Sequence, residues 1–115
     1  MYLISVYITS FNKGNYLSQA ITSVLKQSLR PEEIIIVDDG STDDSRRIIK
    51  GFTSRYPEMI IPICNERNLG ISKTRNLALK NCNGNIITFL DGDDIFYSNK
   101  LLSEYEKLIS NRQIS

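Results

Sequence analysis

The sequence predicts an α/β protein built on a parallel sheet. Strand-like and helix-like segments alternate along the 115 residues, as they do where a helix connects each parallel strand to the next. The strand-like segments are short apolar runs without polar alternation, which is typical of strands buried on both faces. The length favours one domain, over residues 1–115.

The first strand and the first helix are predicted from the amino-terminal quarter of the chain. The strand is Leu3–Thr9 (LISVYIT), and Asn15 is placed to cap the helix that follows the turn. The apolar positions of this helix keep helical spacing. They are Leu17, Ala20, Ile21, Val24 and Leu25.

The second strand is predicted over Glu32–Asp39 (EEIIIVDD). Ser41 or Thr42 can cap the next helix, because a hydroxyl at that position accepts a hydrogen bond from a free backbone N–H. Asp43 and Asp44 would then lie in the first turn, where negative charge is favourable.

The third strand, Met59–Cys64 (MIIPIC), contains Pro62, which has no N–H to donate to a neighbouring strand. We therefore predict this strand at a sheet edge. A third helix is predicted from about residue 72 to residue 81, a fourth strand over Asn85–Leu90, and a last helix after Ser98.

Right-handed crossovers then give the strand order 3-2-1-4 with helices on both faces, which is half of a Rossmann-like sheet. In such sheets ligands bind beyond the carboxyl ends of the strands, where the order reverses between strands 1 and 4. Polar clusters follow three of the strands: TSFNK, DDGS and DGDD. A ligand site is therefore expected at this edge.

The charge composition narrows the class of function. Fourteen basic and thirteen acidic residues give no bulk charge for binding nucleic acid. The chain has no His, so the commonest general base is absent. Any metal site must be built from carboxylates and suit hard cations.

The expected compartment follows from cysteine usage and hydropathy. Cys64 and Cys82 have no CxxC spacing and are predicted to be reduced core thiols of an intracellular protein rather than a disulfide. No apolar run approaches the roughly 20 residues that a membrane span needs, and no signal peptide opens the chain. We therefore expect a cytoplasmic location. Attachment to the inner face of the membrane through another region stays an alternative.

Three carboxylates, those of Asp91, Asp93 and Asp94, directly follow the apolar fourth strand. Carboxylates packed together repel one another unless a cation or solvent intervenes. Asp91 and Asp93 can share a divalent cation that also bridges phosphate oxygens, and Gly92 would let a ligand approach the backbone closely. A solvated turn is the alternative. An EF-hand does not fit the pattern.

Asp38 and Asp39 close the second strand, and Gly40 then turns the chain. A carboxylate there can accept hydrogen bonds from the N–H groups of a ligand such as a nucleotide. Alternatively, both acids cap the loop and the following helix. The sequence leaves these two interpretations open.

Two basic residues are further candidates. Arg75 shares an otherwise apolar helical stripe with Ile71 and Ala78. There it can meet a phosphate, or it can extend its charged end to solvent or pair with an aspartate. Lys13 can face a phosphate, and Phe11 can stack on a flat base or belong to the core. By contrast, the residues of NERNLG are interpreted as turn chemistry.

Four motifs in order resemble the amino-terminal half of a family 2 glycosyltransferase with the GT-A fold. They are SVYITSFNKGNYLSQAITSVLKQS, EIIIVDDGSTDDS, NLGISKTRNLAL and GNIITFLDGDD, and the resemblance runs from Ser5 to about Leu108. It implies a site for a nucleotide-sugar donor, most often a UDP-sugar. Thr9 falls where the family usually has Pro and would wall the nucleotide, and Phe11 falls beside the base. Asp39 matches the aspartate that reads uracil, with Asp38 next to it.

The resemblance also implies a metal site, since Asp91 and Asp93 match the DXD motif of the family. Asp91 would face the ribose, and Asp93 would hold Mn²⁺ or Mg²⁺ on the diphosphate. Asp94 matches a third acid without an assigned role. Lys13 and Arg75 fall at positions near the diphosphate.

The implied reaction is inverting transfer of a hexose from the donor to a saccharide or lipid-linked acceptor, in polysaccharide or glycoconjugate synthesis. In this family the acceptor site and the catalytic base follow the DXD motif, and the base is expected beyond Ser115. Residues 1–115 alone are therefore expected to transfer little or no sugar. A non-catalytic nucleotide- and metal-binding module is the alternative. A phospho-receiver domain is disfavoured because Thr9 and Ser10, not acids, follow the first strand.

Overall fold

The computed structural model describes residues 3–114, with side chains described for residues 3–110. Four strands and four helices alternate along the chain, as the sequence predicts. They are β1 (Ile4–Ser10), α1 (Gly14–Leu25), β2 (Glu33–Asp38), α2 (Ser45–Arg55), β3 (Ile60–Cys64), α3 (Ile71–Lys80), β4 (Ile86–Asp91) and α4 (Lys100–Ile114).

The four strands form one parallel sheet in the order β3-β2-β1-β4, which confirms the predicted topology. Pro62 lies in β3 at the edge, where one side of the strand needs no ladder hydrogen bond. Ser10 at the end of β1 pairs with Asp38 of β2, while Thr9 pairs with Asp91 of β4. This register brings the carboxyl ends of the three strands level.

Helices cover both faces of the sheet, as predicted. The larger core joins β1 and β2 to α1, α2 and the start of α4. The smaller core lies under α3 and consists of Tyr7, Ile35, Val37 and Ala78, with partly buried neighbours. The central strands β1 and β2 are buried on both faces, as the sequence predicts. The same prediction is wrong for β4, whose side chains Ile87 and Phe89 are exposed on one face at the edge of the sheet.

The predicted helix starts are wrong at α1 and α2. Asn15 lies inside α1, and the first N–H of that helix, on Gly14, is instead bound by the carboxylate of Asp43 at 2.9 Å. Asp43 itself lies outside α2, which begins at Ser45, and its Oδ1 accepts from Ser45 N at 2.9 Å. The residue at the cap position of α2 is Asp44, so neither Ser41 nor Thr42 caps this helix.

Contacts between the loops after β1 and β2 explain the late start of α2. Thr42 N donates to Asn12 Oδ1 at 2.8 Å, and Asn12 N donates to Ser41 Oγ at 2.9 Å. Asn12 has a φ of 52°, a conformation that Asn tolerates better than most residues. Residues 41–44 therefore form a loop that is held by the neighbouring strand end.

Both cysteines are free, but the prediction that both are core thiols is wrong for Cys64. Cys64 is exposed on the edge strand, whereas Cys82 is half-buried after α3. Burial raises the pKa of Cys82 to about 11, and Glu33 adds to this by repelling the thiolate. Among residues 3–114, no helix is both long and apolar enough to cross a membrane.

Candidate functional site

A cavity of about 360 Å³ opens at the carboxyl edge of the sheet, between the ends of β1 and β4 and the start of α3. It lies where the strand order reverses, as the topology predicts. Its lining residues are Thr9, Ser10, Phe11, Lys13, Asp39, Asn68, Gly70, Ile71, Thr74, Asp91, Gly92 and Asp93.

The structure brings most of the sequence-predicted site residues to this cavity. Those that line it are Thr9, Phe11, Lys13, Asp39, Asp91, Gly92 and Asp93. Asp38 and Arg75 do not line it. The cavity thus has one carboxylate, Asp39, on the β2 side and an acid cluster on the β4 side.

The catalytic base has no assigned position in this cavity. The sequence analysis expects it beyond Ser115, and Ser115 itself lies outside the described residues, which end at Ile114 in α4. The location of the base therefore stays a prediction.

The acid cluster consists of Asp91, Asp93 and Asp94. Each offers a carboxylate oxygen, and these oxygens lie within 4.8 Å of one another. Asp93 and Asp94 are exposed and Asp91 is half-buried, so water can complete the coordination of a hard cation such as Mn²⁺ or Mg²⁺. Thr9 Oγ1 donates to Asp91 Oδ1 at 3.3 Å. These donors fit a divalent ion.

Lys13 lies beside this cluster. Its Nζ is 3.1 Å from Asp93 Oδ2, and the two side chains are 42% and 40% exposed. An ion pair this exposed is worth at most about 1 kcal/mol. Lys13 therefore holds Asp93 only weakly.

Asp39 is 4% exposed and is held by three donors from the chain after β3. Its Oδ1 accepts from Asn65 Nδ2 at 3.0 Å and from Leu69 N at 2.8 Å, and its Oδ2 accepts from Gly70 N at 3.1 Å. Burial alone would raise the pKa of Asp39, but these hydrogen bonds outweigh it and hold the pKa below its ordinary value. Asp39 is thus an ionised, oriented hydrogen-bond acceptor.

The turn from Asn65 to Gly70 has a larger part in the site than the sequence predicts. Besides holding Asp39, it contributes Asn68 and Gly70 to the cavity wall. Thr74 and Ile71, at the start of α3, were also missed. The position of this turn in the sequence could have indicated its role, because it directly follows β3 at the same sheet edge as the predicted clusters.

Gly40 allows this turn to pack against the loop after β2. Its φ is +77°, and a Cβ at this position would lie 2.5 Å from the backbone carbon of Arg67. Only glycine adopts that conformation without strain and leaves room for the neighbouring backbone. The Asp39 side of the cavity therefore depends on a close contact between two loops.

Asp38 anchors the loop and does not reach the cavity. It is fully buried, and its Oδ2 accepts from Ser41 N at 2.9 Å and from Arg46 Nε at 3.4 Å. This placement matches the loop-capping alternative. Asp38 can support a ligand only indirectly, through the position of Asp39.

Arg75 makes no ion pair with an aspartate among the described residues, and its contact with a phosphate stays a prediction. Its Cζ lies 5.3 Å from the centre of the Phe89 ring, and that ring stacks on Tyr7 with centroids 5.8 Å apart. Its Nε is buried and has no hydrogen-bond partner among the described residues. Arg75 therefore packs as a cation on an aromatic face of β4.

Ser10 adds a polar group that the sequence does not single out. The residue is 4% exposed, and its Oγ has no hydrogen-bond partner among the described residues. A Cβ on Gly92 would lie 2.9 Å from this oxygen. Gly92 thus leaves a buried hydroxyl at the cavity wall, between Asp39 and the acid cluster, where a ligand could satisfy it.

The sheet order, the cavity where that order reverses and the acid cluster are the features expected of a glycosyltransferase with the GT-A fold. The sequence profile described as Glycosyl transferase family 2 matches residues 5–114, and the chain belongs to this family. The chain is 43% identical over 98 residues to an uncharacterized glycosyltransferase of Nostoc sp.. It is 36% identical over 110 residues to the Escherichia coli UDP-Glc:alpha-D-GlcNAc-diphosphoundecaprenol beta-1,3-glucosyltransferase WfgD.

Solved structures agree with this assignment. S. aureus TarS 1-349 in complex with UDP superimposes with a TM-score of 0.80 at 30% identity, over 90% of this chain and 31% of TarS. The mannosyltransferase PcManGT from Pyrobaculum calidifontis, in complex with GDP-Man and Mn2+, gives a TM-score of 0.81 at 19% identity, over 92% of this chain and 32% of that protein. The fold is therefore the Rossmann-like half of a GT-A glycosyltransferase.

The chain spans less than half of these relatives. The match covers 85% of this chain but 30% of the Nostoc relative, and 96% of this chain but 42% of WfgD. The activity and substrates of a whole enzyme are therefore proposals that rest on the residues of the cavity.

Proposed function

We propose that this chain is the donor-binding part of an inverting hexosyltransferase and binds a nucleotide-diphospho-sugar, with a UDP-sugar as the preferred donor. The observation that carries the proposal is the pairing of two different recognition groups in one cavity. Asp39, an ionised acceptor, lies on one side, and Asp91 and Asp93 of the acid cluster lie on the other. A nucleotide diphosphate offers N–H donors at the base and phosphate oxygens for a cation.

Asp39 and Phe11 would bind the base. An ionised Asp39 can accept hydrogen bonds but cannot donate them, so it favours a base that presents an N–H, as uracil does. Phe11 is exposed at the cavity rim and can stack on the base, and Thr9 forms part of the wall. The complex of TarS with UDP, at 30% identity, supports a uridine nucleotide as the first ligand to test.

Asp93 and Asp91 would hold Mn²⁺ or Mg²⁺. When bound, the ion would neutralise charge that develops on the leaving diphosphate. The fold holds these acids at the end of β4, where Thr9 donates a hydrogen bond to Asp91.

The acceptor and the catalytic base belong to the same proposal. The proton of the acceptor hydroxyl would be taken by a carboxylate beyond Ser115, so the isolated chain should transfer little or no sugar. The acceptor would be a saccharide or a lipid-linked saccharide. The WfgD name, which includes a diphosphoundecaprenol-linked sugar, supports the lipid-linked class. A reaction at the cytoplasmic face of the membrane stays a prediction.

A titration of UDP into the protein with Mn²⁺, followed by calorimetry, tests the donor site. We expect binding that EDTA abolishes and that Asp93→Asn weakens about tenfold or more, since the cation loses a negatively charged ligand. Glu58→Gln is the matched control, because Glu58 is an exposed acid in the turn before β3. No binding of UDP, GDP or dTDP to the folded chain would refute the proposal. Binding of GDP or dTDP alone would refute only the choice of base.

A non-catalytic nucleotide- and metal-binding module is the second candidate, because the same cavity would serve it. The discriminating measurement is sugar transfer by the chain extended with the acceptor part of a relative such as WfgD. Donor turnover that depends on Asp93 favours the enzyme. Tight UDP binding without turnover in a folded, extended protein favours the module.

A further inference from the structure

Lys13 is the single cationic side chain among the described residues that line the cavity. Its Nζ lies 3.1 Å from Asp93 Oδ2 although the two residues are 80 positions apart. Lys13 comes from the turn after β1 and Asp93 from the turn after β4, so the pairing of these adjacent strands brings them together. The contact therefore follows from the fold and not from local sequence.

The backbone of Lys13 is fixed while its side chain is free to move. Its carbonyl oxygen accepts from Tyr16 N and Leu17 N, both at 2.9 Å, and the next N–H, on Gly14, is held by Asp43. The side chain is 42% exposed and makes one described ion pair. A lysine has a flexible four-carbon stem and three donors, so its ammonium can reach other acceptors in the cavity.

We propose that Lys13 is a counter-ion of Asp93 that a divalent cation must displace, and that the displaced ammonium then binds the diphosphate of the donor. This inference rests on the proposed function. An ammonium group and a divalent ion compete for the charge of the same carboxylate, and they repel each other when both are close. The cation should therefore bind weakly alone and more tightly when a diphosphate gives Lys13 a new partner. Lys13 thereby couples the two ligands.

The coupling predicts opposite effects of one substitution on two affinities. Lys13→Met removes the competitor, so Mn²⁺ alone should bind about two- to fivefold more tightly, which is the range for an exposed ion pair. The same change removes a charged donor to the diphosphate, so UDP with saturating Mn²⁺ should bind about tenfold more weakly. A lysine with a purely structural role would not shift the two affinities in opposite directions.

The experiment measures both affinities by calorimetry for wild type, Lys13→Met and Lys13→Gln. Lys50→Met is the matched control, because Lys50 is exposed on α2 and its loss changes net charge equally. This control should leave both affinities unchanged. In an Asp93→Asn background, Lys13→Met should no longer tighten Mn²⁺ binding, because the contested oxygen has lost its charge.

Several outcomes overturn the inference. It fails if Lys13→Met and Lys13→Gln bind Mn²⁺ alone no more tightly than wild type, or if Lys50→Met produces the same gain. It also fails if UDP affinity is unchanged in both Lys13 variants. The proposed function has a separate test and fails if wild type does not bind UDP with Mn²⁺ at all. Even in that case, tighter Mn²⁺ binding by Lys13→Met would establish the competition at Asp93.

Discussion

Replacing Asn65 with Ala removes one of the three donors that hold the Asp39 carboxylate. The hydrogen bond from Asn65 Nδ2 to Asp39 Oδ1 is 3.0 Å long and buried. A hydrogen bond to a charged group contributes about 1.5–3 kcal/mol, and its loss leaves part of a buried charge unpaired. We expect Asn65→Ala to lower the free energy of unfolding by about that amount at pH 7.

The pH dependence gives a sharper test. Because the pKa of Asp39 is lowered on folding, its contribution to stability is present above the ordinary value of 3.8 and is lost as pH falls through the folded pKa. Asn65→Ala should raise the folded pKa of Asp39. The stability difference between wild type and variant should then shrink as pH falls below 3.8, where Asp39 becomes protonated.

Urea unfolding at several pH values and NMR titration of the Asp39 carboxyl carbon measure these two quantities. Asn81→Ala is the matched control, because the amide of Asn81 donates to a neutral acceptor, Leu77 O, at 2.8 Å. It should cost only about 0.5–1.5 kcal/mol, without the pH dependence. An Asp39 midpoint that stays unchanged in Asn65→Ala, or a stability loss that is equal in the two variants at every pH, would refute the reasoning.

Two further predictions concern packing and reactivity. Gly40→Ala should lower the free energy of unfolding by at least about 2 kcal/mol, because it adds a clash with Arg67 to a left-handed backbone. Gly51→Ala, where a Cβ meets nothing within 4 Å on α2, should instead be neutral or stabilise by up to about 1 kcal/mol. Urea unfolding decides both, and equal losses would contradict the argument. At pH 8 a thiol reagent should modify exposed Cys64 before Cys82, whose pKa of about 11 keeps it protonated. Faster labelling of Cys82 than of Cys64 would contradict the burial and the raised pKa of Cys82.

The strands and their order could be predicted because they depend on local and topological rules. Apolar runs without polar alternation identify parallel strands, Pro62 identifies an edge, and right-handed crossovers fix the rest. The starts of α1 and α2 could not be predicted in the same way. They depend on hydrogen bonds of Asp43 to Gly14 and of Thr42 to Asn12, between loops about 30 residues apart in sequence.

The same distinction applies to the candidate site. Residues at the carboxyl ends of strands, such as Thr9, Asp39 and Asp91, could be placed at one edge from topology alone. The donors that hold Asp39 come from a turn 26–31 residues further along the chain, and no periodicity connects them. The helical spacing of Arg75 relative to its apolar neighbours is clear, but spacing alone cannot predict that its guanidinium packs on the ring of Phe89.

The two sides of the cavity are held by strands on opposite sides of β1, so we expect them to open independently. The Asp39 side is fastened by β2 and by the turn after β3, whereas the acid cluster is carried by β4, which pairs only with β1 among the described strands. A fluctuation that detaches β4 would remove the cluster and leave Asp39 in place. In hydrogen exchange, the amides of β4 and of the turn after β3 would then report two separate openings, and a ligand that spans the cavity would join them into one.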